Sequence, residues 1–302
     1  MGSSQSVSSR EHVLVVGGTG RTGRRLINQL CDDPRFEVTA VVRDRDKAQL
    51  VFGDRIGKID LIEGDLTDVH TWQHRLKDVS QIVTAVSCGI RTDPYVVLGA
   101  RASPSPLPHA VDADGIAQLA MAAKANGVRR FVCVTTASAD TPWSPAAIFL
   151  NTCAYFAVKH KWQGEQAIRS SGLDYVILRP YGLGQDLPPP VPPLGTRGIE
   201  WAQSRTAGAP SRRIPRDDVA RLCHEALLLP EPVRSTVEVW ATEEHARPLD
   251  WNQLKPDPPG RLNEVNHDLP VAAALSGTAL LYAGVLRGAW NVARYLRAAG
   301  RG

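Results

Sequence analysis

The 302-residue chain lacks the marks of most specialised small folds. Its five cysteines (Cys31, Cys88, Cys133, Cys153, Cys223) are odd in number and never spaced as CxxC or as Cys/His ligand sets. That argues against a disulfide framework or a zinc ribbon and fits a reducing compartment. Cys88 and Cys133 lie in or at the ends of apolar strands, where buried small thiols are common. The charge excess is slight, +4 with 22% charged residues, and makes no demand for nucleic acid. All of it sits in residues 269–302, which hold Arg287, Arg294, Arg297 and Arg301 and no acid. No Ser-His-Asp pattern, carboxylate pair, metal-ligand cluster or internal repeat stands out. The first ten residues are polar, so a secretory leader is not expected.

What is present begins at Val13-Leu14-Val15-Val16, an apolar run that reads as a buried parallel strand. It is followed by Gly17-Gly18-Thr19-Gly20-Arg21-Thr22-Gly23, a glycine turn that opens a helix. Glycine at 17, 20 and 23 suits a tight turn, close backbone approach to a pyrophosphate and close helix–strand packing. The following helix N-terminus offers unpaired N–H groups to phosphates. The context is that of a dinucleotide-binding βα unit.

The next strand, Phe36–Val42, ends at Arg43, twenty residues after Gly23. A site selective for NADH usually has an acid there for the ribose 2′-OH, whereas arginine suits a 2′-phosphate. Arg21 and Lys47 add positive charge nearby, while Asp44 and Asp46 offer Arg43 a competing surface pairing. The balance favours NADPH over NADH.

Alternation continues down the chain. Strands are expected at 58–66, ending in Gly-Asp-Leu, and at 80–87, 130–136 and 175–179, with a last one at 235–241. Helices are expected at 69–76, 112–126, 156–170 and 217–229. Prolines exclude a helix from about 88–109, and 186–215 reads as loop with a stiff Pro188–Pro193 segment. Residues 245–268 are polar and proline-bearing and read as surface chain. The sum is an α/β, doubly wound parallel sheet with a small C-terminal substrate region and a helical tail. The expected division is a leader at 1–10, a cofactor-binding domain at 11–244 and an extension at 245–302.

Five ordered blocks carry a family resemblance: Gly17–Gly23; Gly64-Asp65-Leu66; Val111-Asp112 running into Gly127–Val132; Ser171–Tyr175 into Arg179-Pro180; and Ile214–Ala220. Over roughly residues 11–242 the chain resembles atypical short-chain dehydrogenase/reductases of the NmrA-like, NAD(P)H-binding type, the group of biliverdin-IXβ (flavin) reductase-like proteins. The resemblance implies a Rossmann fold and a bound NAD(P)H, but no particular substrate. It puts Gly17, Gly20 and Gly23 around the pyrophosphate and Arg43 at the adenosine phosphate, with Thr19, Arg21 and Thr22 of the same turn as further cofactor-binding residues. Asp65 and Leu66 would meet the adenine, and Ala85 and Val86 the adenosine ribose. Thr135 and Thr136 would face the nicotinamide, and Pro180 and Tyr181 would close its far side.

Two catalytic registers stay open. Tyr155 and Lys159 satisfy Tyr-x-x-x-Lys, one helical turn apart, so that an ammonium would lower the tyrosine pKa for proton transfer. Ser138 or Thr136 would then hold the substrate carbonyl. In the family a helix lysine precedes a glutamate by four, which Lys161 and Glu165 satisfy; that register has no tyrosine acid. The expected activity is hydride transfer from NADPH to a small carbonyl, enone or flavin-like acceptor. A cofactor-sensing regulatory protein is the rival.

The ends of the chain carry a separate expectation. Leu269–Leu286 is eighteen residues without a charge, and the arginines that follow share one helix face. That fits a basic amphipathic helix on a membrane surface, a helix docked on its own domain or on a second subunit, or, least well, a span. Met1-Gly2-Ser3-Ser4-Gln5-Ser6 fits an N-myristoylation pattern at Gly2. The expectation is a cytoplasmic monomer or homodimer, with membrane-surface association through Gly2 and the tail left open beside a docked helix.

Overall fold

Residues Val13–Val16 alternate between the two faces of a sheet, and this alternation organises the fold. In the computed structural model the described residues are 10–87, 106–184, 197–203, 213–245, 249–258, 265–274 and 276. Strand β1 (Glu11–Val16) pairs in parallel with β2 (Phe36–Val42) on one side and β4 (Gln81–Thr84) on the other. Val13 and Val15 face one hydrophobic cluster with Leu26, Ile27 and Leu30 of helix α1 (Gly23–Cys31). Leu14 and Val16 face a second cluster with Leu119 and Ala123 of the later helix Ile116–Ala125. Two apolar faces covered by helices are what near-continuous apolar parallel strands require.

Among the described residues the main sheet has eight strands, in the order β3 (Ile59–Glu63), β2, β1, β4, β5 (Arg130–Val134), β6 (Asp174–Pro180), β10 (Ser235–His245) and β8 (Arg197–Ala202). A separate two-stranded sheet pairs β7 (Gly182–Leu183) with β9 (Arg213–Ile214). Every pairing is parallel except β10 with β8. The strand order reverses between β1 and β4, which puts the crevice of a doubly wound sheet at the carboxyl ends of those two strands. The doubly wound α/β expectation holds.

Several local expectations do not. The 186–215 region is not all loop: Arg197–Ala202 adds an antiparallel edge strand, with Ile199 buried. Residues 69–76 form not an α-helix but two 3-10 turns, Leu66–Thr71 and Gln73–Leu76. Between them Trp72 is buried and donates its ring N–H to the Asp65 carbonyl (2.9 Å). Helix α2 (Arg45–Phe52) was not anticipated; Asp44 caps it by accepting from the Lys47 N–H at 2.9 Å. The helix Ile116–Ala125 (α3) is preceded by a π-helical turn, His109–Gly115. An unanticipated helix α4 (Pro145–Cys153) carries the Ser144 cap and N-terminal proline that signal such a start. Helices α5 (Ala157–Ser170) and α6 (Arg216–Leu227) match expectation closely.

The 245–268 stretch is not simply surface chain either. Asp257 accepts from Thr236 Oγ1 (2.6 Å), Tyr175 Oη (3.1 Å) and Arg169 Nε (3.2 Å). His267 is buried against α4, where Asn151 Nδ2 donates to its Nδ1 at 3.2 Å. The same Asn151 caps α5, its Oδ1 accepting from the Val158 and Lys159 N–H groups. Residues 268–274 are helical. Gly2 and residues 277–302 lie outside the described residues, and so does the tail's amphipathic face. Among the described residues no helix is long and apolar enough to cross a membrane.

Candidate functional site

The site is assembled where β1 and β4 end. Gly17 has φ +87°, and a Cβ there would fall 2.8 Å from the Ala85 carbonyl oxygen. At Gly23 a Cβ would lie 2.2 Å from the Gly17 oxygen, so α1 starts against the turn only because that residue has no side chain. The turn is closed by Gly20 N–H to Gly17 O at 2.9 Å. Thr22, at the N-cap of α1, makes no side-chain cap bond; the Arg24 and Arg25 N–H groups donate to Gly20 O and Thr22 O (both 3.0 Å), and the positive end of the helix dipole still points at the turn. Gly23→Ala should therefore push α1 off the turn. Overpacking of this kind costs about 1–3 kcal/mol, read as a lower urea midpoint together with loss of nucleotide binding.

On the β2–β3 side, Arg43 stands at the end of β2 with its side chain 67% exposed and Nη1 3.7 Å from Asp65 Oδ2. Its ion pair is with Asp65, not with the neighbouring Asp44 or Asp46. Asp44 serves as the α2 cap, and the other oxygen of Asp65 accepts from Thr67 N–H and Oγ1 at 2.8 Å. A long, exposed pair of this kind is weak and leaves the guanidinium available. Leu66 beside it is buried, and Arg21 is exposed.

On the β4–β5 side helix α5 supplies two buried charges one turn apart. Lys161 Nζ donates to Asp112 Oδ1 (2.7 Å) and to the Val86 carbonyl (3.2 Å), just past the end of β4. Glu165, fully buried, accepts from Thr135 Oγ1 (2.6 Å), from Arg179 Nε (3.0 Å) and Nη2 (2.6 Å), and from Arg169 Nη2 (3.0 Å). Burial alone would raise the Glu165 carboxyl, but Arg179 and Arg169 outweigh it and hold it below the usual range. Arg179 also reaches Asp140 at 2.9 Å. Thr135, at the end of β5, thus spends its hydroxyl proton on Glu165 and turns only lone pairs toward the site.

The Tyr155/Lys159 register meets a different geometry. Tyr155 and Phe156 both have positive φ (+51° and +57°) and precede α5, so Tyr155 does not share a helical face with Lys159. Two successive non-glycine residues in that region break the chain direction between α4 and α5. Lys159 Nζ is held by both oxygens of Asp268, at 2.6 and 2.8 Å. Ser138 also has positive φ (+66°), and its N–H faces Glu238 Oε1 at 3.5 Å. Tyr181 donates to Glu238 Oε2 (3.0 Å) and stacks edge-on against Trp240. Pro180 ends β6 and is buried, while Ala85, Thr136, Thr19 and Tyr181 are partly exposed and Thr22 is buried. Sequence reasoning gave no site role to Asp140 and Glu238, and named Asp112 and Arg179 only as parts of the family blocks, because a charged residue reads as solvated until its partner is known.

The sequence matches the NAD(P)H-binding family over residues 17–230. The chain belongs to the NAD(P)H-binding family. Its likeness to short-chain dehydrogenase/reductases, expected from the ordered blocks, stands with it. An uncharacterized chloroplastic protein of Arabidopsis thaliana is 33% identical over 254 residues, covering 80% of this chain and 81% of that protein. An uncharacterized sugar epimerase of Bacillus subtilis is 27% identical over 212 residues, covering 69% of this chain and 84% of that protein. Among solved structures, a short-chain dehydrogenase/reductase of Veillonella parvula in complex with NADP aligns with TM-score 0.57 at 16% identity, covering 78% of this chain and 96% of that one. The anaerobilin reductase ChuY of Escherichia coli O157:H7 aligns with TM-score 0.57 at 18% identity, covering 77% and 98%. At such identities the structural matches speak for the fold. The residues present fit the family's cofactor, since glycine at 17 and 23 lets the turn pack tightly on the end of β4 and the start of α1, as a pyrophosphate-binding βα turn requires.

Proposed function

We propose that the chain is an NADPH-dependent oxidoreductase that delivers hydride to a small enone, flavin-like ring or carbonyl. The observation that carries the reading is the split of polar groups about the glycine turn. A loosely held cation, Arg43, stands on the β2–β3 side, and Lys161 with the Glu165-bound Thr135 stands on the β4–β5 side. In a doubly wound sheet the two halves of a dinucleotide lie on either side of that crevice. Arg43 would meet the 2′-phosphate, and Gly17, Thr19, Gly20, Arg21, Thr22 and Gly23 would surround the pyrophosphate. Asp65, Leu66 and Ala85 would line the adenosine. Thr135, an acceptor by virtue of Glu165, suits the N–H donors of a carboxamide. Thr136 and Pro180 would flank the same ring.

Bound NADPH supplies the hydride; the chain's part is to orient the ring, exclude water and govern the proton. Tyr155 and Lys159 do not form the helical pair that a tyrosine acid needs. The reading therefore favours acceptors that take their proton from water, enones and flavin-like rings, over isolated ketones. A second reading, cofactor sensing without turnover, draws on the same Lys159–Asp268 pairing. The test is NADPH oxidation by the full chain across quinones, enones, flavins and ketones. Turnover on enones or flavins is expected; tight binding with no turnover on any of them would favour the sensor.

A further inference from the structure

One buried charge on the nicotinamide side is only half used. Asp112 Oδ1 holds Lys161 at 2.7 Å, with both side chains buried. The other oxygen, Oδ2, is buried without a hydrogen-bond partner. The two oxygens share one carbon, so the unused acceptor lies beside the ammonium that reaches the Val86 carbonyl. A buried carboxylate oxygen left unpaired carries the desolvation cost of a lost hydrogen bond. Such a cost persists where a donor arrives from outside the chain.

The backbone is arranged to bring this carboxylate there. Asp112 sits in the π-helical turn His109–Gly115, where one extra residue per turn re-aims the side chains. Helix α5 crosses that turn so closely that a Cβ at Gly164 would fall 2.2 Å from the Asp112 carbonyl oxygen. Lys161, one turn earlier on the same face, is thereby carried onto the carboxylate. Just past β4, Val86 Cγ1 would lie 3.0 Å from a Cβ on Gly17, so Val86, whose carbonyl accepts from Lys161, links the pair to the glycine turn.

We propose that Asp112 is a cofactor-positioning residue. It fixes the Lys161 ammonium at the carboxyl end of β4, and its unpartnered oxygen accepts a hydroxyl of the ribose on the nicotinamide side. An adjacent donor and acceptor match a vicinal diol, which can both accept and donate. The inference rests on the NADPH reading above and adds a residue to it.

The test compares two probes on the full chain, NADPH and adenosine 2′,5′-bisphosphate, which has the phosphate-bearing adenosine but no second ribose. Wild type should bind both; if it binds neither, the NADPH reading falls and this inference with it. Asp112→Asn should weaken NADPH by about tenfold or more, the scale of a lost charged hydrogen bond, and leave the bisphosphate unchanged. Because Asp112→Asn leaves Lys161 buried without its counter-ion, the double variant Asp112→Leu/Lys161→Met gives a second arm. Replacing a buried pair by apolar residues of similar volume is often neutral for folding. It should keep the urea midpoint and show the same split between probes. Equal weakening of both probes would mean a structural role only, and unchanged NADPH affinity in a folded variant would mean no role. Either result overturns the proposal.

Discussion

Arg43→Asp should weaken NADPH by roughly 10–150-fold, the equivalent of about 1.5–3 kcal/mol for a charge-assisted contact, while NADH affinity stays close to wild type. The physical basis is the position of Arg43 at the end of β2, with its guanidinium mostly in solvent and only a 3.7 Å approach to Asp65. A strong internal pair would have had to break before a phosphate could bind; this one costs little to break. The introduced carboxylate adds repulsion toward a 2′-phosphate, whereas toward a 2′-hydroxyl it is an acceptor. Titration of both nucleotides by quenching of protein fluorescence, at low and at high salt, reads the effect. The difference should shrink at high salt, because the site is exposed. An equal loss for both nucleotides would mean damage to the fold rather than a lost phosphate contact.

The largest effect on stability is expected at Glu165. This carboxylate has no solvent exposure and holds Arg179, itself 2% exposed, through two hydrogen bonds of 3.0 and 2.6 Å. Glu165→Ala leaves a buried guanidinium with Asp140, at 2.9 Å, as its carboxylate partner among the described residues. Breaking a buried pair from one side costs about 3–5 kcal/mol, read as a lower urea midpoint. The pair as a whole is worth less than that: Glu165→Leu combined with Arg179→Met should recover much of the loss. The pH dependence has a definite sign. Glu165 titrates below its usual range in the folded chain, held there by Arg179 and Arg169 against the opposing effect of burial. In the unfolded chain it titrates near about 4.3. Its contribution is therefore complete above that pH and is lost as pH falls through the folded value. Glu165→Gln should flatten the stability profile below about pH 4 relative to wild type.

How much of this was readable without coordinates depended on how local each signal was. The β1–glycine turn–α1 unit was legible because the apolar run, the glycines and the helix start all lie within fourteen residues. Strands β5 and β6 were legible for the same reason. The Ser144-Pro145 start of α4 was an equally local signal and was overlooked beside a loop-rich neighbourhood. The Arg197–Ala202 strand follows a proline-rich segment that argues for loop, and β10 pairing overrides that argument. Of the site's ionic framework only Lys161 and Glu165 were legible, through the family's helix spacing; their partners were not. Asp112 and Lys161 are 49 residues apart, Glu165 and Thr135 are 30 apart, and Arg169 and Asp257 are 88 apart. At such separations no local pattern ties one residue to the other, and only the packing of α5 against the π-helical turn and the sheet makes them partners. The Tyr-x-x-x-Lys spacing failed in the opposite way. It assumes a continuous helix, and the left-handed Tyr155 and Phe156 interrupt it.

The central claim is that the carboxyl edge of β1 and β4 holds NADPH with its phosphate end at Arg43 and its nicotinamide end at Lys161 and Thr135. The most direct measurement is calorimetric titration of the full chain with NADPH, repeated in the presence of saturating adenosine 2′,5′-bisphosphate. The account predicts one NADPH per chain, with affinity tighter than for NADH and competitive loss on adding the bisphosphate. Saturable NADPH binding that the bisphosphate fails to displace, or no binding up to about 1 mM, where the free energy is only about −4 kcal/mol, would contradict it.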